Sequence, residues 1–255
     1  MERGAITACG TMTNILTRKL ENFCTLSTAD KRLVDSMITH VRDVGPDQDL
    51  ISEGDPPSHV YLITEGFACR YKITTDGKRH IMAYLVPGDF CDLHVFILNK
   101  MDHSIGTLSP CKVVRISRSQ VIELTKSRTI SRALWWATLV DEATLREWLV
   151  NIGARSAEQR IGHLLCELLL RLRSVGLATG DAYALPLTQV ELAETMGLSN
   201  VHANRMLQRL RMEKLITFEG KKLVILDTKR LEEFSGFTSN YLHLDSQEGV
   251  EQHSA

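Results

Sequence analysis

The sequence predicts an α+β protein in which one long helix joins a β-rich N-terminal part to a helical C-terminal part. Three observations lead to this fold class. Short apolar runs alternate with turn residues between positions 41 and 116, one apolar periodicity runs from Arg128 to Ile152, and two capped helical segments meet at Gly197. Each pattern has the period of the element that it predicts, two residues for a strand and 3.6 for a helix.

Length and composition are typical of a globular chain. The 255 residues are enough for two modest domains, and the chain is 44% hydrophobic and 24% charged. No apolar run approaches a membrane span, and the N-terminus lacks a basic region followed by an apolar core. We therefore expect a cytoplasmic protein without an export signal. The residues before Met12 show no regular pattern, so the choice between Met1 and Met12 as the native start stays open.

The cysteines are scattered along the chain and form no Cys-x-x-Cys pair. They are Cys9, Cys24, Cys69, Cys91, Cys111 and Cys166. This spacing argues against a zinc ribbon and against a disulfide framework. It suits a reducing cytoplasm.

The N-terminal half opens with a helix, predicted over residues 16–40, and continues as short strands. Turn residues recur at nearly regular intervals after Val41, and Asp76-Gly77 between two apolar runs is a strong hairpin signal. The predicted strands cover residues 60–63, 67–73, 80–86 and 113–116. Such a series indicates a small β-barrel or sandwich.

The most informative stretch, residues 186–226, has the pattern of a winged helix–turn–helix. Thr188 and Glu191 are spaced as a capping box, Gly197 supplies the freedom that a tight turn needs, and Ser199 is a good N-cap for the next helix. Apolar side chains then recur with the spacing of a buried helical face. They are Ala203, Met206, Leu207 and Leu210.

The opposite face of that second helix is polar and basic, which suits contact with DNA. Asn and Gln can pair with adenine, and Arg can bind guanine or a phosphate. The expected DNA-contacting residues are Thr188, Ser199, Asn200, Val201, His202, Asn204, Arg205, Gln208, Arg209, Lys221 and Lys222. Residues 199–230 contain eight Lys or Arg and three Asp or Glu, a local charge of +5 in a chain of net charge −1. The alternative is an ordinary helical hairpin with a solvated basic face.

Two further predictions complete the C-terminal part. A helix over residues 161–172 follows a capping box of Ser156 and Gln159. Strands at 215–218 and 223–226 form the wing, and the lysines between them are placed to meet a phosphate.

One helix is predicted from Arg128 to Ile152, and alternating steps of four and three residues define a heptad seam along it. The seam residues are Leu134, Thr138, Asp141, Leu145, Trp148 and Ile152. The first half is apolar nearly all round, as expected of a helix that packs on its own β-domain and on a partner's helix at once. The alternative is a core helix of a monomer. Gly153 is expected to break the helix and act as a hinge.

Three short segments in the β-rich half resemble a known framework. Residues 53–55 read Glu-Gly-Asp, residues 60–66 read Val-Tyr-Leu-Ile-Thr-Glu-Gly, and residues 87–90 read Pro-Gly-Asp-Phe. They are similar to the skeleton of a cyclic-nucleotide-binding-type β-roll, a double-stranded β-helix. Such a roll, followed by a helix and a winged helix–turn–helix, resembles the CRP/FNR family of bacterial transcription regulators over about residues 15–235.

The resemblance implies a homodimer that pairs through the long helix and binds pseudo-palindromic double-stranded DNA, with RNA polymerase as a further partner. It also implies an effector pocket in the roll. The candidates for this pocket are Cys91, Asp92, His94, His103 and Ser104.

Cyclic AMP is not the expected effector. In cyclic-AMP-responsive members of the family, a Glu and then an Arg-Ser pair hold the ribose and the cyclic phosphate. Asp92 can stand for the Glu, but no Arg occurs between residues 89 and 104, where Lys100 is the nearest positive group. A buried phosphate needs a guanidinium or several backbone donors, so we expect no tight binding of cyclic AMP. The effector stays unidentified, and no cofactor is predicted.

Other sensing chemistries receive less support. The iron–sulfur branch of the family uses an N-terminal cysteine cluster, but Cys9 and Cys24 stand alone. Haem or metal ligation by His80, His94 or His103 and redox sensing by Cys91 or Cys111 stay open. Cysteines in strands are most often small buried hydrophobic residues.

The second helix of the helix–turn–helix departs from the best-known members of the family. Val201 occupies the position of their early Glu, whereas Arg205 matches their later Arg. We therefore expect a half-site that differs from the TGTGA and TTGAT types, with Val201 able to touch a thymine methyl group.

The predicted function is a homodimeric, sequence-specific DNA-binding transcription regulator. The alternative is a ligand-binding or kinase-regulatory module without DNA binding, which the helix–turn–helix disfavours. No HExxH, P-loop or GxSxG motif indicates an enzyme. Four parts are expected: an N-terminal helix with the sensor roll (1–127), a dimerisation helix and hinge (128–153), the DNA-binding domain (154–235) and a disordered tail (236–255). A signal in the roll is expected to re-aim the DNA-binding domains about Gly153.

Overall fold

The computed structural model describes residues 14–93 and 97–244. Cys9, Met12 and His94, on which sequence-based expectations rest, lie outside these residues. Within the described ranges, no helix combines the length and apolarity needed to cross a bilayer.

Two helices open the described chain, α1 (Ile15–Glu21) and α2 (Thr28–Met37). The prediction of one helix over residues 16–40 was therefore wrong. The Ser27 side chain accepts from the backbone N–H of Asp30, and the Asp30 carboxylate accepts from that of Ser27. This capping box starts a new helix after a six-residue interruption at residues 22–27.

The β-rich domain consists of two four-stranded antiparallel sheets with strand orders β1-β8-β3-β6 and β2-β7-β4-β5. The strands are β1 (Val41–Val44), β2 (Asp49–Ile51), β3 (His59–Glu65), β4 (Ala68–Ile73), β5 (Arg79–Leu85), β6 (Phe90–Cys91), β7 (Ser104–Thr107) and β8 (Cys111–Ser117). Residues such as Val60, Leu62 and Val114 are fully buried in the core of this roll. The four predicted strands are confirmed as β3, β4, β5 and β8, with bounds that differ by one or two residues.

The hairpin between β4 and β5 is the one that Asp76-Gly77 predicts. The backbone N–H of Thr74 donates to the carbonyl of Lys78 at 2.9 Å, and Gly77 has a φ of 78°. Only glycine takes that left-handed conformation without steric cost, so the sequence signal and the turn geometry agree.

Helix α3 (Arg118–Lys126) leads into the long helix α4 (Arg128–Ala154). The prediction of a break at Gly153 was wrong by two residues, because Gly153 lies within the last turn of α4. The chain leaves the helix at Arg155, which has extended backbone angles, and Ser156 then caps the next helix. A glycine inside a helix lowers the stability of the helix. It does not end the helix when the following residues still form the helical backbone hydrogen bonds.

The exposed apolar face of α4 differs from the predicted heptad seam. Leu134 and Trp148 of that seam are buried within their own chain, and Asp141 pairs with Arg70 in the roll. The large apolar side chains that α4 exposes are Trp135, Leu139, Leu145, Leu149, Val150 and Ile152. Leu145 and Ile152 therefore belong both to the predicted seam and to the exposed apolar face. The other exposed apolar residues lie on a face of α4 that is rotated away from the predicted seam.

The C-terminal domain starts with α5 (Ala157–Ser174) and contains a four-stranded sheet of order β11-β12-β10-β9. Its remaining elements are β9 (Ala178–Thr179), β10 (Ala182–Ala184), α6 (Gln189–Met196), α7 (Asn200–Met212), β11 (Ile216–Glu219), β12 (Lys222–Ile225) and α8 (Thr228–Ser235). The buried face of α5 forms the centre of the core, which also takes in Tyr84 of β5 and Trp148 of α4. The two domains are therefore packed together.

The expectation of a disordered tail from residue 236 was wrong for residues 237–244. Phe237, Tyr241 and Leu242 are buried, and a short 3-10 helix spans Asn240–Leu242. Together with Leu244, which is partly buried, these apolar side chains pack the segment on the folded domain. Residues 245–255 lie outside the described part of the chain.

Candidate nucleic-acid interface and sensor cavity

Local hydrogen bonds build the helix–turn–helix as the sequence predicts. The Thr188 hydroxyl accepts from the backbone N–H of Glu191 at 3.2 Å, and the Glu191 carboxylate accepts from Thr188 in return. Gly197 ends α6 with a φ of 62°, and the Ser199 side chain accepts from the backbone N–H of His202 at 3.2 Å. These contacts fix where α6 ends and α7 begins, and so set the angle at which α7 projects.

Helix α7 presents one apolar and one polar face. Ala203, Met206, Leu207 and Leu210 are buried against the domain core, as predicted. On the other side, the exposed residues are Asn200, Val201, His202, Arg205, Gln208 and Arg209. Val201 is 71% exposed and is therefore free to contact an apolar group of a partner. Thr188 and Ser199 are exposed at the starts of the two helices.

Two polar residues of α7 are more constrained than the sequence suggests. The Arg209 guanidinium forms an ion pair with Glu158 in α5. Asn204 is half-buried, and its Oδ1 has no hydrogen-bond partner among the described residues. Arg205 is exposed and forms no ion pair within the described ranges. It is therefore the α7 arginine most available to a nucleic acid.

The wing is a tight hairpin between β11 and β12, with Gly220 at a φ of 60°. Lys221 and Lys222 at its tip are exposed. The carbonyl of Lys221 accepts from the backbone N–H of Leu185 at 2.8 Å, so the hairpin is anchored to the domain while its ammonium groups stay in solvent.

A cavity of about 470 Å³ lies where the roll meets α4, α5 and the last described residues, Leu242 and Leu244. Its apolar walls include Leu93, Met101, Trp136 and Val140. Its polar lining consists of Lys19, Arg70, Asp89, Asp92, Asp102, His103, Thr138, Asp141, Thr144, Arg171 and Ser174. This size and mixture are typical of a small-molecule site.

The structure brings two of the five predicted pocket residues to this cavity. Asp92 and His103 line it, whereas the thiol of Cys91 is buried in strand β6 and is not part of the lining. Ser104 is also absent from the lining, and its hydroxyl accepts from the backbone N–H of Glu53 at 2.9 Å. His94 lies outside the described residues.

The sequence reasoning missed Arg70, because its strand is distant from the loop that was searched. The Arg70 side chain is buried, and its guanidinium donates to Asp92 at 3.0 Å, to Asp141 at 3.1 Å and to the carbonyl of Phe90 at 3.4 Å. Burial disfavours its charge, but the Asp141 and Asp92 carboxylates raise its pKa above the ordinary arginine value. The sequence did contain a signal, because Arg70 is the one arginine in the largely apolar run 67–73. A charged side chain buried in such a strand requires polar partners, which indicates a polar site.

His103 lies between two carboxylates, with Nε2 at 2.9 Å from Asp92 and Nδ1 at 2.8 Å from Asp102. Burial opposes protonation of the ring, but the hydrogen bonds and charges of Asp92 and Asp102 outweigh it and raise the pKa of His103. The imidazolium, Arg70, Asp92 and Asp141 thus form one cluster in which each cation has carboxylate partners.

The thiols proposed for redox sensing are inert by the usual criteria. Cys91 and Cys111 are buried, and burial raises the pKa of both, that of Cys91 well above its ordinary value. A thiol held protonated is a poor nucleophile, which argues against redox sensing by these residues. His80 is exposed on β5, and the described residues contain no group of three or more His, Cys, Asp or Glu that could hold a metal ion.

Comparison with known proteins matches both halves of the chain. A model of the cyclic nucleotide-binding domain matches residues 41–128, and a model of the Crp-like helix-turn-helix domain matches residues 159–234. Transcriptional activatory protein AadR of Rhodopseudomonas palustris is 30% identical over 213 residues, which cover 81% of this chain and 85% of AadR. The chain belongs to the CRP/FNR family of transcription regulators.

Other CRP/FNR regulators are similar over most of their length. Nitrogen fixation regulation protein FixK of Bradyrhizobium diazoefficiens is 25% identical over 187 residues, covering 72% of this chain and 76% of FixK. The solved structure of FixK2 from Bradyrhizobium japonicum superposes with a TM-score of 0.68 at 23% identity, over 76% of this chain and 96% of that one. At this identity, the superposition supports the fold alone.

Proposed function

We propose that this CRP/FNR regulator is a homodimer that binds a pseudo-palindromic DNA site through α7 and controls transcription there. The observation that carries the proposal is the solvent-exposed face of α7, on which Asn200, Arg205 and Gln208 lie around Val201. These side chains offer the donors and acceptors that read base edges in the major groove. The exposed lysines at the wing tip are placed for phosphate contact beside that groove.

The dimer is proposed to form through α4. Helix α4 exposes several large apolar side chains in its second half, among them Leu149, which is 74% exposed. Leaving this stripe in water is unfavourable, whereas pairing it with a second copy buries it. Two copies related by a two-fold axis would also place two α7 helices for two half-sites.

The cavity beside α4 is the proposed effector site, and its electrostatics disfavour cyclic AMP. Arg70 is already bound by Asp92 and Asp141, and Arg171 by Asp89 at 2.6 Å and Glu167 at 3.0 Å. A phosphate would have to displace a carboxylate from a buried arginine, which typically costs about 3–5 kcal/mol. The apolar walls instead suit an effector that is largely apolar.

Selection from a random pool of DNA duplexes by the purified protein tests the proposal. The proposal predicts that an inverted repeat is enriched, with half-sites that differ from TGTGA and TTGAT. Failure to enrich any duplex in low-salt buffer would contradict it and would favour a ligand-binding module without DNA binding. We propose that the protein acts in the cytoplasm and that RNA polymerase is its partner in controlling transcription.

A further inference from the structure

The last described residues, 237–244, form a segment that we name the C-terminal strap. It leaves α8 at Gly236 and crosses from the DNA-binding domain onto α4, against which its 3-10 helix lies. The rings of Phe237 and Tyr241 pack on His163 of α5, with centroids 5.0 and 5.9 Å from the imidazole. The strap therefore contacts both α4 and α5.

A buried carboxylate joins the strap to both helices. Glu167 of α5 is fully buried and accepts from the Tyr241 hydroxyl at 3.0 Å and from the Trp148 indole N–H of α4 at 2.9 Å. Arg171 donates to its second oxygen at 3.0 Å. Because a buried carboxylate is costly unless it is fully hydrogen-bonded, each of these three donors helps to hold the others in place.

The residue immediately before the strap, Gly236, is held at the junction of α4 and α5. The Arg155 guanidinium, at the point where α4 ends, donates to the carbonyl of Gly236 at 3.1 Å and to the carboxylate of Glu147 at 2.7 Å. The short connection between α4 and α5 is thus hydrogen-bonded to Gly236, the residue from which the strap leaves α8.

The other end of the strap forms part of the cavity wall. Leu242 and Leu244 line the cavity together with Trp136 and Val140 of α4. Leu242 is 1% exposed. Any occupant large enough to fill the cavity must contact the strap.

We propose that the strap is both the cover of the cavity and a clamp on α5, so that opening the cavity and releasing the DNA-binding domain are one event. The inference rests on the proposed function, since it names how the cavity is coupled to α7. Coupling of this kind is reciprocal, because whatever displaces the strap from the cavity also removes its contacts with Glu167.

Two truncations of the full chain test the strap. A chain that ends at Gly236 lacks it, whereas a control that ends at Leu244 keeps it. Without the strap, we expect faster hydrogen exchange in two places at once. One is the cavity-lining part of α4, and the other is the contact between β5 and α6, where Arg79 of the roll forms an ion pair with Glu194 of the DNA-binding domain. We also expect the affinity for the selected duplex to shift by about fivefold or more. A decrease would show that the clamp holds a DNA-competent orientation, and an increase would show that it holds an inhibited one.

Tyr241→Phe gives a milder test if the shorter chain does not fold. It removes one buried hydrogen bond to α5, and Tyr183→Phe is its matched control, because the Tyr183 hydroxyl donates to the carbonyl of Leu165 on the same helix at 2.8 Å. Only Tyr241→Phe should accelerate exchange at the β5–α6 contact. If wild-type protein binds DNA but strap loss changes exchange locally and leaves DNA affinity within about twofold, the inference is wrong. If wild-type protein binds no duplex, the proposed function itself fails.

Discussion

Arg79 in the sensor roll and Glu194 in the helix–turn–helix form an ion pair at 2.8 Å, although 115 residues separate them in sequence. Beside this pair, the Tyr84 hydroxyl shares a hydrogen bond with the Thr195 hydroxyl. The sensor therefore touches α6 directly, and a change in the roll does not have to pass through α4 alone to reach the DNA-binding domain.

The Arg79–Glu194 pair should contribute measurably to stability, because both side chains are mostly buried. A double-mutant cycle with Arg79→Ala and Glu194→Ala should give a coupling of ~0.5–1 kcal/mol in the free energy of unfolding. The more exposed Lys72–Glu53 pair serves as the control, and its coupling should be smaller. Strictly additive effects of the two alanine substitutions would show that the pair does not hold the domains together.

Arg205→Ala should weaken binding to the selected duplex by about 1–3 kcal/mol, because it removes an exposed α7 arginine that forms no ion pair among the described residues. Lys126→Ala on the sensor domain removes the same charge away from α7 and should leave the affinity nearly unchanged. Fluorescence anisotropy at fixed salt measures both. Equal affinities of the two variants would remove Arg205 from the interface.

Cyclic AMP should bind more weakly than micromolar, because the arginines of the cavity are already neutralised by carboxylates. Isothermal titration calorimetry on the full-length protein measures this directly. A micromolar or tighter dissociation constant would mean that the carboxylates rearrange to admit a phosphate, contrary to the proposal.

The His103 cluster should make stability depend on pH. The pKa of His103 is higher in the folded than in the unfolded state. The protonated ring therefore stabilises the fold fully below the unfolded-state pKa of about 6.5, and this stabilisation is lost as the pH rises through the folded-state pKa. His103→Gln should therefore reduce the free energy of unfolding more at pH 5.5 than at pH 9. His80→Gln, at an exposed position of the same roll, is the matched control variant. A pH-independent effect of His103→Gln would contradict the ion-pair interpretation.

Leu149→Glu should convert the proposed dimer to a monomer, because it places a charge in the exposed apolar stripe of α4. Ile122→Glu, on α3 and 53% exposed, adds the same charge elsewhere and should leave the dimer intact. Sedimentation velocity distinguishes the two masses. Monomeric wild-type protein would exclude the dimer. A dimeric Leu149→Glu variant would place the dimer contact elsewhere.

The sequence predicted those features whose stabilising interactions are between residues close together in the chain. The capping boxes at Thr188 and Ser156 and the left-handed Gly197 follow from residues within three or four positions of each other, and the structure has all of them. The partners of Arg70 lie 22 and 71 residues away, so no local pattern could identify them.

The predictions of a disordered tail and of a helix break at Gly153 were wrong for a related reason. Tyr241 is held by Glu167, 74 residues earlier, and no local pattern around Tyr241 indicates this contact. Gly153 has a poor helix propensity, but the hydrogen bond from Arg155 to Asn151 continues the helix past it. Propensity is a weak prior where tertiary contacts decide.

Hydroxyl-radical footprinting of the selected duplex tests the central claim most directly. Two α7 helices related by a two-fold axis predict two protected half-sites about one helical turn, ~34 Å, apart, and Arg205→Ala should weaken both equally. A single protected patch, or a footprint that persists unchanged with Arg205→Ala, would contradict DNA reading by paired α7 helices.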